Sequence, residues 1–266
     1  MLGAAASAQS QKLPGLEKHI QLCNRVADVS PDARISSCSA LIESGADTSR
    51  TQAIAYNNRG NAYYRKGDYE SAIEDYNRSI KAAPSYAKAF NNRGLAFQKK
   101  SDDARALADF DQSIKLDPKS AVAFVNRAEI YRRKGEYQRA LRDYGSALRI
   151  QPDLEGVRNA SCWVRAIVGE LKLALADCNE ALRLEPNVAA TFDSRGLTYL
   201  KMGQWKAAIA DYNSALQLDP KLASSLYGRG LGKLRTGDIA GGKADMAAAT
   251  AIEEDIASVF ARFRVK

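Results

Sequence analysis

A 34-residue period governs this chain. Tyr56-Asn57-Asn58-Arg59-Gly60 returns as Phe90-Asn91-Asn92-Arg93-Gly94. Prolines stand at 84, 118, 152, 186 and 220, and aspartates at 75, 109, 143, 177, 211 and 245. Alanines stand at 72, 106, 140, 174 and 208. Six units (53–86, 87–120, 121–154, 155–188, 189–222 and 223–256) fill most of the 266 residues. A unit this short cannot bury its own apolar face, so neighbouring units must stack.

Within a unit the pattern predicts two helices and a turn. In the first, Tyr56, Gly60 and Tyr63 follow three- and four-residue spacing. Gly67-Asp68 interrupts the helix and opens another, in which Ala72, Ile73, Tyr76 and Ile80 restore the spacing. Pro84 closes the unit, because proline lacks the N–H a helix interior needs. The small Gly60 and Ala72 let antiparallel helices approach, and the tyrosines fill the space around them.

The order aromatic, Gly, Tyr, Ala, aromatic, Ala or Ser, Pro resembles the tetratricopeptide repeat over residues 53–252. The resemblance implies an all-α fold, a right-handed α-solenoid of stacked antiparallel helix pairs. It also implies a concave groove lined by the first helix of each pair. The family's clamp for chaperone carboxyl termini uses two asparagines and three basic residues. Asn61 and Asn92 stand at the asparagine places, but Asn57, Val122 and Asn126 occupy the basic ones. A chaperone-tail partner is therefore not expected.

Both ends of the stack need covering. Residues 15–50 read as a degenerate N-terminal pair, with helices from Leu16 to Val29 and from Pro31 to Ser44. Pro31 suits a first helical turn. At the other end Ile256, Val259, Phe260 and Phe263 share one helical face, which predicts a capping helix over 255–264. Residues 1–14 read as a signal-peptide remnant or a disordered tail. Ala6-Ser7-Ala8 has the small-x-small form of a cleavage site, but no basic segment precedes it.

The four cysteines sharpen the question of compartment. Cys162 replaces the small residue at the helix contact of the fourth unit, and Cys178 replaces the aromatic that is Tyr76, Phe110, Tyr144 and Tyr212 elsewhere. Cys38 takes the place of Cys178 in the degenerate pair, and Cys23 lies one residue nearer than its counterpart. Two pairs across the same seam favour two disulfides, Cys23 with Cys38 and Cys162 with Cys178, over four buried thiols. That favours export, to a bacterial periplasm or beyond, with a cytoplasmic location as the alternative.

Catalytic chemistry is hard to place. His19 is the sole histidine, and neither Cys-x-x-Cys nor Gly-x-Ser-x-Gly occurs. No metal or cofactor is expected, no apolar run approaches the ~20 residues of a membrane span, and the chain is not read as an enzyme. Gly228-Arg229-Gly230-Leu231-Gly232-Lys233 mimics a phosphate loop, but Tyr227 stands where a Walker loop needs glycine. Arg59, Arg93, Arg127, Arg195 and Arg229 each precede a periodic aspartate by 16 residues, and ion pairs within repeats are expected. The fourth unit has Ser161 instead, where a disulfide would substitute for the ion pair.

What varies between units is the material for recognition. Asn58, Asn92 and Asn126 form a ladder at 34-residue spacing, and Asn57 and Asn91 stand beside the first two. An amide both donates and accepts, so such a ladder can hold an extended backbone. It can equally satisfy neighbouring helices or water. Basic residues at first-helix ends, among them Arg65, Lys66, Lys99, Lys100, Arg132, Arg133 and Lys134, rim the groove or complement helix dipoles. In the fifth and sixth units the groove turns apolar at Leu197, Leu200, Tyr227, Leu231 and Leu234, with Trp163 alongside. This stripe either takes a partner helix or lies under the C-terminal helix.

The formal charge is +8 overall, and residues 53–154 carry 19 basic and 13 acidic side chains. The resulting reading is a non-enzymatic interaction scaffold that binds an extended, acidic or neutral peptide. Its peptide-binding candidates are Asn57, Asn58, Asn61, Asn91, Asn92, Asn126, Arg65, Lys99 and Arg133. Polyanion or nucleic-acid binding by the basic middle repeats is one alternative. A structural subunit or self-associating homo-oligomer is another. No small-molecule substrate is implied.

Overall fold

The computed structural model describes residues 15–25, 29–45 and 48–263. Residues 1–14, read above as a leader remnant or tail, lie outside the described residues. Among the described residues there are fifteen α-helices and no strand. The expected all-α solenoid of helix pairs is the fold observed. The chain divides into two compact units, Met1–Ala123 and Phe124–Lys266.

The first unit contains α1 (Leu16–Asn24), α2 (Pro31–Glu43), α3 (Ser49–Lys66), α4 (Tyr69–Ala82), α5 (Ala87–Lys99) and α6 (Asp103–Leu116). Each packs on the next, and α3 also meets α5. The first helix of the degenerate pair is shorter than the sequence predicts. It stops at Asn24, because Arg25 turns extended. By contrast α3 begins four residues before the repeat boundary, where Thr48 Oγ1 accepts from the Thr51 N–H at 3.1 Å. The α3–α4 turn is made by Gly67 at φ 82°, followed by Asp68, whose carboxylate accepts from the Ser71 N–H. That pairing of a left-handed C-cap with an aspartate N-cap ends one helix and starts its partner within two residues.

The second unit begins within α7 (Ala121–Arg133) and continues through α8 (Tyr137–Ile150), α9 (Val157–Val168), α10 (Leu171–Leu184), α11 (Ala189–Lys201) and α12 (Trp205–Leu218). It ends with α13 (Ala223–Arg235), α14 (Ile239–Ile252) and the short α15 (Ile256–Arg262).

The periodic residues form the core. Ala72, Ala106, Ala140, Ala174 and Ala208 are all 0% exposed, and Tyr76, Phe110, Tyr144 and Tyr212 at most 1%. The close approach is visible at Gly60: a Cβ there would lie 2.7 Å from Tyr76 Cε1, closer than a carbon pair tolerates. The phosphate-loop mimic has the same explanation. Gly228 faces the Tyr212 ring, Gly230 faces Met246, and Arg229 is spent on Asp245.

The arginine–aspartate pairs are bidentate. Arg59–Asp75, Arg93–Asp109, Arg127–Asp143, Arg195–Asp211 and Arg229–Asp245 have N–O distances of 2.7–2.8 Å. Their aspartates are buried, so these are not exposed surface pairs. Arginines also donate to the preceding pair: Arg59 to Ser39, Arg93 to Asn77, Arg195 to Asn179 and Arg229 to Asn213. One guanidinium thereby ties three helices.

The fourth repeat departs from the expectation that a disulfide replaces the ion pair. Asp177 accepts from Ser161 Oγ at 2.7 Å and pairs with Arg165 Nε at 2.9 Å. The cation has moved one turn along α9, to the place held by Tyr63, Phe97, Tyr131 and Tyr199 in four other repeats and by Lys233, paired with Asp245 at 2.8 Å, in the sixth. Even a partly buried carboxylate is stabilised by a nearby cation.

Cys162 and Cys178 are joined between α9 and α10, and Cys23 and Cys38 between α1 and α2. All four are at most 1% exposed. Each bond closes a loop of 15 or 16 residues within one helix pair.

Candidate functional site

In the first unit the asparagines of α3 and α5 form a connected amide network. Asn58 Nδ2 donates to Asn24 Oδ1 at 3.1 Å, and Asn58 Oδ1 accepts from Asn57 at 3.4 Å. Asn92 Nδ2 donates to Asn57 Oδ1 at 2.9 Å and to Asn61 Oδ1 at 3.0 Å. Asn91 donates to Asn92 at 3.3 Å. Asn61 also accepts from the Tyr76 hydroxyl at 2.8 Å. Asparagines one repeat apart in sequence thus meet side by side on the first-helix face.

The network sorts the sequence candidates. Asn57 is only 3% exposed, so it cannot reach a ligand; its amide holds Asn58 and Asn92 in place. Asn61 likewise positions Asn92 and closes the Tyr76 hydroxyl. Asn58, Asn91 and Asn92 are half-buried. Asn58 keeps one N–H and one carbonyl lone pair after its two bonds, whereas Asn92 has given both N–H groups to its neighbours. Arg65 and Lys99 are exposed at the last turns of α3 and α5. Asn126 and Arg133 stand on α7, the one half-buried and the other exposed.

In the second unit the first-helix face is filled differently. The apolar stripe is covered, not open. Leu197, Leu200 and Tyr227 are buried in one cluster with Ile256 and Phe260 of α15; Trp163, Leu231, Val259 and Phe263 pack around it. The Tyr227 and Phe260 ring centroids are 4.9 Å apart, and Phe263 meets Trp163 edge-on at 5.8 Å. The end of the chain therefore reaches α9, two repeats back. Of the two readings of the stripe, the structure selects burial under the C-terminal helix.

Sequence reasoning passed over a polar cleft beside this cluster. It measures about 270 Å³ and is lined by Glu129, Arg132, Asn159, Trp163, Asp193 and Ser194, among others. Glu129 accepts from the Tyr144 hydroxyl and binds Arg132 through Oε2 at 2.8 Å. Asp193 accepts from Ser225 Oγ at 2.6 Å. Burial pushes the Asp193 carboxyl up to about 6, against the opposing pull of the Ser225 and Ser224 hydrogen bonds. The available signal was that Asp193 is the only acidic residue at its place in the repeat.

Among the described residues no group of three or more His, Cys, Asp or Glu side chains is arranged to hold a metal ion. No helix among them is long and apolar enough to cross a membrane.

One tetratricopeptide-repeat family model matches residues 60–101 and 196–237, and a second matches 91–155, together just over half of the chain. No curated protein matches it by sequence. Among solved structures it is similar to YrrB, a TPR protein with an unusual peptide-binding site. The TM-score is 0.59 and identity 21%, over 71% of this chain and 99% of that one. It is also similar to PilW, a type IV pilus biogenesis factor (TM-score 0.66, 19% identity, 78% and 98% coverage). A tetratricopeptide repeat protein from Parabacteroides merdae gives 0.63 and 18%, over 94% and 99%. At these identities the likeness shows the fold alone.

Proposed function

Because this chain belongs to the tetratricopeptide-repeat proteins, we propose that it is a non-enzymatic scaffold that holds an extended segment of a protein partner against its first-helix face. The observation that carries this reading is the asparagine network of α3 and α5. Half-buried Asn58 and Asn92 stand in fixed orientation because buried Asn57 and half-buried Asn61 hold them. Preorganised amides lose little freedom on binding a peptide backbone, and a backbone is the part of a partner they contact irrespective of its side chains. Asn126 holds the place of Asn58 and Asn92 in its own repeat, on α7 of the second unit. Arg65, Lys99 and Arg133 supply exposed cations for acidic residues of the segment.

Nucleic acid is the weaker reading. Of the basic side chains in the middle repeats, Arg59, Arg93 and Arg127 are committed to buried aspartates. They are not available to phosphates. The two disulfides support an oxidising compartment, hence export.

Affinity capture from a bacterial envelope extract tests the scaffold reading. It compares the wild type with an Asn58→Ala, Asn92→Ala, Asn126→Ala variant that retains its helical circular dichroism. Loss of partners from the variant supports the reading. Retention of every partner would remove the asparagines from recognition and leave them as structure.

A further inference from the structure

The polar cleft of the second unit has a chemistry opposite to that of the basic rim. Its net charge comes from Asp193. Glu129 and Arg132 neutralise each other across 2.8 Å, and the Arg132 guanidinium also lies 5.6 Å from the Trp163 ring centroid. Asp193 has hydroxyl partners in Ser225 and Ser224; among the described residues no Lys or Arg is ion-paired with it. At the equivalent place of the other repeats stand Asn57, Asn91, Val125, Asn159 and Tyr227, all uncharged. The core does not need a carboxylate there, and holding one away from water is costly without a cation.

Asn159 lines the cleft, and its Oδ1 is buried without a hydrogen-bond partner. A buried carbonyl oxygen without a donor is uncommon in folded proteins and marks a place where a donor belongs. Gly156, Ala160 and Ala190 keep the remaining walls small, and Trp163 supplies an apolar one. One carboxylate, one unsatisfied amide oxygen and one indole edge call for a ligand that is cationic, rich in N–H donors and carried on an aliphatic stem.

We infer that this cleft is a subsite for an arginine or lysine side chain of the bound protein segment, its charged head at Asp193 and Asn159 and its stem along Trp163. The inference rests on the scaffold reading for the origin of that side chain, but not for the chemistry of the cleft. It places a side-chain-reading site within the second unit, selective for a basic residue of the partner.

The test uses the full chain and three small probes: N-acetyl-arginine methylamide, N-acetyl-lysine methylamide and the neutral isostere N-acetyl-citrulline methylamide. The indole N–H of Trp163 is followed by NMR, with that of Trp205 as internal control. The expected result is a saturable shift of the Trp163 signal with the arginine or lysine probe and none with citrulline. Asp193→Asn, which keeps the shape and can still accept from Ser225, should weaken the cationic probe roughly tenfold or more. Absence of any shift with both cationic probes would overturn the inference. So would an equal response to citrulline, or unchanged binding to Asp193→Asn. These probes do not touch the asparagine network, so partners lost from the asparagine variant alongside a silent cleft would sink this inference alone.

Discussion

Removal of the Asp109 carboxylate is the sharpest test of how the repeats are tied together. Asp109 is 5% exposed and takes two hydrogen bonds from Arg93, at 2.7 and 2.8 Å. Arg93 also donates to Asn77 Oδ1 at 2.6 Å and lies 5.5 Å from the Phe90 ring centroid. Asp109→Ala strands this guanidinium in a half-buried seam with one polar partner. Breaking a fully buried ion pair costs about 3–5 kcal/mol. Arg93 keeps access to water, with 21% of its side chain exposed, and retains Asn77. The expected loss is therefore about 2–3 kcal/mol, after discounting for that access. Arg93→Met combined with Asp109→Leu removes both charges and keeps apolar volume, and should restore most of the loss. A parallel Asp177→Ala variant should cost less, about 1 kcal/mol, because Asp177 is more exposed and its Ser161 and Arg165 partners retain other contacts. Urea unfolding followed by circular dichroism gives all three values. An Asp109→Ala loss below about 0.5 kcal/mol, or a double variant as unstable as the single one, would refute the buried-pair argument.

Truncation before Ile256 should uncover Leu197, Leu200 and Tyr227. It should cost about 3–6 kcal/mol for the lost burial of Ile256 and Phe260, and cause aggregation visible by light scattering; a monodisperse, equally stable truncation would count against it. Reduction of the disulfides, or Cys162→Ala with Cys178→Ala, should lower stability by roughly 3 kcal/mol per loop. The companion check is thiol titration of the unfolded, unreduced protein, which should find no free sulfhydryl; four would contradict the pairing. Asp193→Asn should stabilise the protein at neutral pH by about 1–2 kcal/mol. The folded carboxyl sits at about 6 and the unfolded one near 4, so the folded state binds the extra proton between them. Wild-type stability should then fall as pH rises through that window, and the variant should lack this term; parallel pH slopes would refute the assignment.

The periodic half of this protein was legible in its sequence. Alanine, aromatic and aspartate positions recur every 34 residues because each helix pair buries the same face against the next, and the same contact selects the same residue. The arginine–aspartate spacing of 16 residues predicts its own ion pair, since both ends lie within one repeat. What varies from repeat to repeat was not legible in this way. Asn57 and Asn58 are neighbours in sequence, yet the first is buried and the second half-buried. Only the stacking of α5 on α3 decides which amide takes the Asn92 donors. Arg165 comes to Asp177 in place of the missing arginine from one turn further along α9, a pairing outside the 16-residue spacing. The C-terminal phenylalanines could be assigned to a helical face, but not to Tyr227 and Trp163, which lie tens of residues away and come together only through packing. Asp193 stood out in the sequence only as the one acidic residue at its place in the repeat. The polar cleft that Asp193 and Asn159 line exists only once residues of α7, α9 and α11 come together. Contacts within a repeat are short in sequence and repeat with it, so the sequence by itself determined the scaffold. Contacts between repeats join residues that share no local pattern, so the tertiary structure alone decided which faces are open, which are covered and where an unmet charge remains.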